Sequence, residues 1–168
     1  ESVVQISEPT KLRGVDIVAI GITPYQYNPV TKELIVYKDL QIEVSFTGGN
    51  GKFGEDRLRS RWFDPILEDN IINFQALPKI DYGKRYLINS LTPDYEYLII
   101  RPNGVVYAQW ADSIKNFRNK QGIRTGVVSL AEIGGNTTTA IETYINNAYN
   151  TWTIPPAAIL FMGDYGTD

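Results

Sequence analysis

Residues 96–130 read EYLIIRPNGVVYAQWADSIKNFRNKQGIRTGVVSL, and along this run the hydrophobic period changes twice. Tyr97-Leu98-Ile99-Ile100 is apolar without polar alternation, the pattern of a strand buried on both faces, as parallel sheets require. Arg101-Pro102-Asn103-Gly104 stops it. Tyr107, Trp110, Ile114, Phe117 and Gln121 then recur at helical spacing, with Asp112, Lys115, Asn116 and Asn119 between them, which predicts an amphipathic helix of about four turns. Gly122, preceded by Arg118 and Lys120, is the expected stop: a residue free to be left-handed, with cations near the last carbonyls. Thr125–Leu130 reads as a second strand.

The pattern repeats once. Asn136 and Thr137-Thr138-Thr139 supply capping groups, and Thr139 with Glu142 has capping-box spacing, so a helix is expected to begin there. Ile141, Tyr144, Ile145, Ala148, Tyr149 and Trp152 form its apolar stripe. Pro155-Pro156 ends it, and Ala157–Met162 is a third all-apolar strand, closed by Gly163-Asp164. Three buried strands and two helices make a βαβαβ unit with right-handed crossovers. The helices either cover one face of the sheet or are split between the two.

Residues 1–47 are β in character. Val15, Ile17, Ala19 and Gly21 alternate with Asp16, Val18, Ile20 and Ile22, and Leu34, Val36, Leu40, Ile42, Val44 and Phe46 alternate more cleanly with polar neighbours. Between them Thr23–Pro29 carries two prolines and an Asn-Pro turn signal. The expectation is part of an antiparallel sandwich. Gly48-Gly49-Asn50-Gly51 is the clearest break, Asp64-Pro65 opens a short helix toward Asn73, and Lys79–Pro93 reads as an extended linker. The fold class expected is therefore mixed: antiparallel β in residues 1–50, a linker in 51–94, and an α/β parallel-sheet segment in 95–168.

One domain's worth of core fits 168 residues at 43% hydrophobic content, and a net charge of −3 argues against a nucleic-acid surface. No stretch of ~20 apolar residues would span a membrane. The chain contains no Cys and no His, so it has no disulfide, no thiolate and no imidazole base. Glu1-Ser2-Val3-Val4 starts without a methionine and reads as mid-strand, which suggests a fragment or a processed piece.

The segments YNPVTKELIVYKDLQIEVSF, FGEDRLRSRWFDPIL, EYLIIRP, FRNKQGIRTGVVSLAEIG, AIETYINNAYNTW and ILFMGDYGTD, in this order, resemble the gingipain family of bacterial cysteine peptidases, family C25, at the junction of propeptide and catalytic region. The resemblance covers nearly the whole chain, and its specificity lies in the ordered series. It implies the C-terminal part of a β-sandwich propeptide of the kind that keeps a zymogen inactive (residues 1–50), a linker and processing region (51–94), and the first part of a caspase-like α/β peptidase (95–168). It also implies a secreted or cell-surface protein whose partners are protein or peptide substrates and the remainder of the same precursor. The family's His and Cys would lie beyond Asp168. The competing reading is a noncatalytic homologue, or a sortase-like component of an outer-membrane secretion machinery.

Candidate site residues follow. Arg57, Arg59, Arg61, Lys84 and Arg85 are processing-site candidates, because arginine-specific or trypsin-like peptidases read such cations; the competing reading is a salt-bridged surface. Arg101, Gly163 and Asp164 fall at the carboxyl ends of strands, where open α/β sheets place ligands, although Gly163-Asp164 also serves as a plain turn. Asp164 and Asp168 are metal candidates: they offer calcium the oxygen ligands it prefers, but two carboxylates are too few for a site. Ile133-Gly134-Gly135-Asn136 lacks the G-x-G-x-x-G pattern of a phosphate loop. The aromatic residues Tyr107, Trp110, Phe117, Tyr144, Tyr149 and Trp152 read as core.

Overall fold

The computed structural model describes residues 2–88 and 94–163. It divides into two compact units, Glu1–Arg59 and Ser60–Asp168.

The first unit is built of antiparallel strand pairs. Strand β1 (Val4–Ile6) pairs with β4 (Ile20–Ile22), β2 (Thr10–Leu12) with β3 (Val15–Ile17), and β5 (Tyr25–Asn28) with β6 (Glu33–Val36). The β2–β3 hairpin turns on Arg13 and Gly14, with φ of 48° and 83°. Positive φ at both central residues is what a two-residue type I′ turn requires. Lys11 and Asp16 sit opposite each other and pair at 3.0 Å. Between β5 and β6, Asn28 Oδ1 accepts from the amides of Val30 and Thr31, the Asx turn signalled by Asn-Pro.

Two expectations here fail. The predicted strand over residues 15–22 is broken between β3 and β4, because its halves pair with different partners. The alternation from Leu34 to Phe46 yields a strand only as far as Val36; Tyr37 N still donates to the Pro24 carbonyl, but among the described residues Lys38–Phe46 has no ladder partner, and period-2 alternation cannot hold a strand without one. Among the described residues the strands of this unit form three two-stranded antiparallel sheets.

In the second unit, β7 (Tyr97–Arg101), β8 (Thr125–Ser129) and β9 (Ala158–Phe161) form a parallel sheet in the order β8-β7-β9. Tyr97 faces Thr125 on one side and Ala158 on the other. Helix α3 (Val105–Lys120) connects β7 to β8; α4 (Leu130–Ile133) and α5 (Thr138–Thr151) connect β8 to β9. The first connection moves outward from the central strand and the second returns across it. Right-handed crossovers in opposite directions put their helices on opposite faces, which settles the alternative left open by the sequence. Leu98, Ile100 and Val128 pack with Ile133, Ile141, Tyr144 and Ile145 on one face. Ile99 is buried on the other, where the Arg118 guanidinium of α3 lies 5.3 Å from the Tyr97 ring.

The predicted stripe on α3 is displaced. Ala111 is buried, Tyr107, Ala108, Ile114 and Arg118 are half-buried, and Trp110 and Phe117 are 64% and 60% exposed. The helix approaches the sheet on its alanine face, where small side chains allow close contact, so the largest apolar residues are left outside. Tyr149 on α5 is likewise exposed, which corrects its assignment to the core. The Gly122 stop is as expected, with φ of 75°.

Residues 60–88 hold two α-helices, the first where Asp64-Pro65 signalled one and the second where an extended stretch was expected. Helix α1 (Asp64–Asn70) starts with Pro65 in its first turn and buries Leu67, and α2 (Tyr82–Ile88) occupies the stretch read as extended. Its start is fixed by Asp81, whose Oδ1 accepts from the Lys84 amide.

Candidate functional site

The carboxyl edge of the β8-β7-β9 sheet is where the two crossovers diverge, the place at which open α/β sheets hold their ligands. Arg101 ends β7. It is half-buried, its Nη1 donates to the Pro102 carbonyl at 2.7 Å, and its Nε is buried with no hydrogen-bond partner among the described residues. Ser129 ends β8 and caps α4. Its Oγ accepts from the Glu132 amide, while Glu132 Oε2 accepts from the Ser129 amide at 2.7 Å and from its hydroxyl at 2.6 Å. This capping box sits at Ser129–Glu132 rather than at Thr139–Glu142; α5 is capped by Thr137, which accepts from the Ala140 amide.

The hydrogen bonds from Ser129 hold the Glu132 carboxyl below the usual carboxylate range, against a smaller opposing effect of burial, with the Arg101 charge adding to the lowering. Asn103 Oδ1 accepts from the Ala131 amide at 2.8 Å, tying the loop after β7 to the turn after β8. On the third strand, Met162 N donates to the Ile100 carbonyl, and Gly163 follows, exposed. The edge is thus a rim of tied loops. It holds no thiol and no imidazole base, since the chain has neither Cys nor His. Asp164 and Asp168 lie outside the described residues, and among the described residues no three metal-ligating side chains converge.

The five basic candidates are not brought together. Arg57 pairs with Glu55 at 2.9 Å, and Arg59 is buried, 3.9 Å from Asp56. Arg61 Nη2 donates to Glu96 at 2.5 Å and to the Gly122 carbonyl at 2.6 Å. Lys84 is exposed on α2, and Arg85 donates to the Thr153 carbonyl at 3.0 Å.

Sequence reasoning passed over the most elaborate polar cluster. Glu96 is 2% exposed at the entrance to β7. Its Oε1 accepts from Arg61 and from the Arg124 amide, and its Oε2 from Trp62 Nε1 at 3.0 Å. The available signal was a single carboxylate abutting an apolar run, since a buried acid must find donors.

The family model for Peptidase family C25 matches residues 90–168, and the model Propeptide_C25 matches residues 1–81. The chain belongs to peptidase family C25. Within that family it is gingipain-like, and it spans the junction between the propeptide and the start of the catalytic domain. It is 28% identical over 167 residues to Gingipain R2 of Porphyromonas gingivalis, covering 95% of this chain and 21% of that protein. It is 27% identical to Gingipain R1 of the same species, covering 95% of this chain and 15% of the relative. It is 28% identical to Lys-gingipain, covering 99% and 9%. The chain therefore spans about a fifth or less of the length of these relatives. No solved structure matches it.

Proposed function

We propose that this chain is the propeptide-to-catalytic junction of a secreted gingipain-like cysteine endopeptidase precursor, inert by itself, whose Cys/His dyad is supplied downstream. The observation carrying this reading is the succession of the two family matches along one chain that has neither Cys nor His. In this reading β7, α3, β8, α5 and β9 are the first part of a caspase-like peptidase sheet, and the rim around Arg101 and Gly163 supports a site completed by later strands. The substrates are proteins or peptides, and the location is extracellular or at the cell surface; among the described residues no helix is long and apolar enough to cross a membrane.

Processing falls at Lys84-Arg85. This dipeptide lies in the gap between the two matches, whereas Arg57, Arg59 and Arg61 lie inside the propeptide match and are engaged by Glu55, Asp56 and Glu96. A peptidase binds its substrate extended, so α2 must unwind locally first; a two-turn helix is cheap to open.

The test is peptide hydrolysis by the precursor that carries this chain, set against the 168-residue chain alone. Thiol-sensitive hydrolysis by the processed precursor and none by the chain is the expected result. A precursor that is processed but hydrolyses no peptide would sink the endopeptidase reading and leave a noncatalytic relative.

A further inference from the structure

The two family matches and the fold divide the chain at different places. The propeptide match runs through Asp81, yet the compact units part after Arg59. Residues 60–81 therefore belong to the propeptide by sequence and to the unit containing the parallel sheet by structure.

What holds them there is the Glu96 cluster. Glu96 precedes β7 and Arg124 precedes β8, so the cluster lies at the amino edge of the sheet, opposite the rim formed by Arg101, Ser129 and Gly163. Arg61 and Trp62 come from the propeptide-matched segment; Glu96, Gly122 and Arg124 come from the peptidase-matched segment. The Arg61 guanidinium also lies 4.8 Å from the Trp62 ring, which keeps the two donors side by side. Leu67 and Leu77 on the same segment are buried. Removing one partner from a buried, hydrogen-bonded carboxylate leaves an uncompensated charge, so the cluster resists being opened.

We propose that residues 60–81 form a docking strap that stays seated on the amino edge of the peptidase sheet after the chain is cut between Asp81 and Asp94, with Glu96 as its anchor. The strap tethers the propeptide noncovalently, and it does so at the edge remote from the ligand-binding rim. This deepens the processing reading above and rests on it only for the place of the cut.

The test therefore supplies its own cut. In the precursor carrying Lys84→Gln and Arg85→Gln to block natural processing, residues 89–93 are replaced by the recognition sequence of a site-specific protease, and the protein is digested to completion. The two pieces are expected to co-elute on gel filtration and to appear as one complex by native mass spectrometry. Glu96→Gln keeps the shape of the side chain but removes one acceptor and the charge, and it should weaken the complex at least about 100-fold. Arg61→Ala, at a partly exposed position, carries the same test if Glu96→Gln does not fold, as judged by circular dichroism before digestion. Dissociation of the unsubstituted pieces overturns the strap, and so does co-elution with unchanged affinity in the substituted proteins. A precursor that is never cut naturally at 82–93 would refute the processing reading alone.

Discussion

Gly126→Ala tests the packing of the sheet. A Cβ on Gly126, in β8, would overlap the Tyr95 ring, including Cγ at its root, so a ring flip does not relieve the clash and the whole side chain must swing away. Tyr95 packs edge-on against Trp152 with centroids 5.9 Å apart, and Trp152 packs in turn against Tyr144 at 6.3 Å. Overpacking of this kind costs about 1–3 kcal/mol, and loss of an aromatic pair adds about 0.5–1.5 kcal/mol. Taken together, roughly 2–4 kcal/mol is expected, a drop in Tm on the order of 8–15 °C for a unit of this size. Thermal unfolding followed by near-ultraviolet circular dichroism reads it, because Tyr95, Tyr144 and Trp152 lose their fixed environment. The decisive comparison is the double variant with Tyr95→Ala. With the ring gone the extra methyl has room, so the second substitution should add little, giving a coupling above about 1 kcal/mol. Strict additivity, or an unchanged Tm for Gly126→Ala alone, would show that the ring does not occupy that space.

Ser129→Ala removes the α4 cap and should cost about 1 kcal/mol at neutral pH. It should also return the Glu132 carboxyl toward its ordinary value of 4.5, measured by NMR titration. Because the folded value is depressed, the stabilisation is present above the unfolded pKa and lost as pH falls through the folded one; the Ser129→Ala deficit should therefore shrink in acid. Burial, with a smaller effect from Glu132, raises the Tyr144 phenol above 10.0. Stability from this group is intact below the unfolded pKa and is lost as pH rises through the folded one, so Tyr144→Phe should flatten the alkaline limb of a stability profile. Gln at both Lys84 and Arg85 should leave the precursor uncut on a gel, while single Gln substitutions at Arg57 and Arg59 should not.

The parallel sheet was legible because a strand buried on both faces must be apolar throughout, as Leu98–Ile100 and Val127-Val128 show; Ala158–Phe161 is just as apolar, but it is an edge strand only half-buried, with Phe161 57% exposed, which corrects the expectation of three buried strands. The buried side of α3 was not. Counting large apolar residues selects Trp110 and Phe117, but close packing on a sheet selects Ala108 and Ala111, and only the neighbouring strands reveal which requirement wins. The capping box was misplaced because Ser129–Glu132 and Thr139–Glu142 satisfy the same pattern; what separates them is that Ser129 ends a strand. The Glu96 cluster draws on Arg61, Trp62 and Arg124, whose separation along the chain conceals their meeting. Among the site candidates, the structure describes Arg101 and Gly163 at the carboxyl edge and leaves the basic residues dispersed.

The strand order β8-β7-β9 also bears on how the molecule is made. The central strand is the first of the three to leave the ribosome, and its two neighbours arrive later, one from roughly twice as far along the chain as the other. Closing that longer loop is the slow entropic step. Arg61 and Trp62 are synthesised before Glu96, whereas the Arg124 amide comes after α3. During synthesis, then, Glu96 has its two side-chain partners, Arg61 and Trp62, already at hand before the adjoining β7 can pair with any other strand of its sheet.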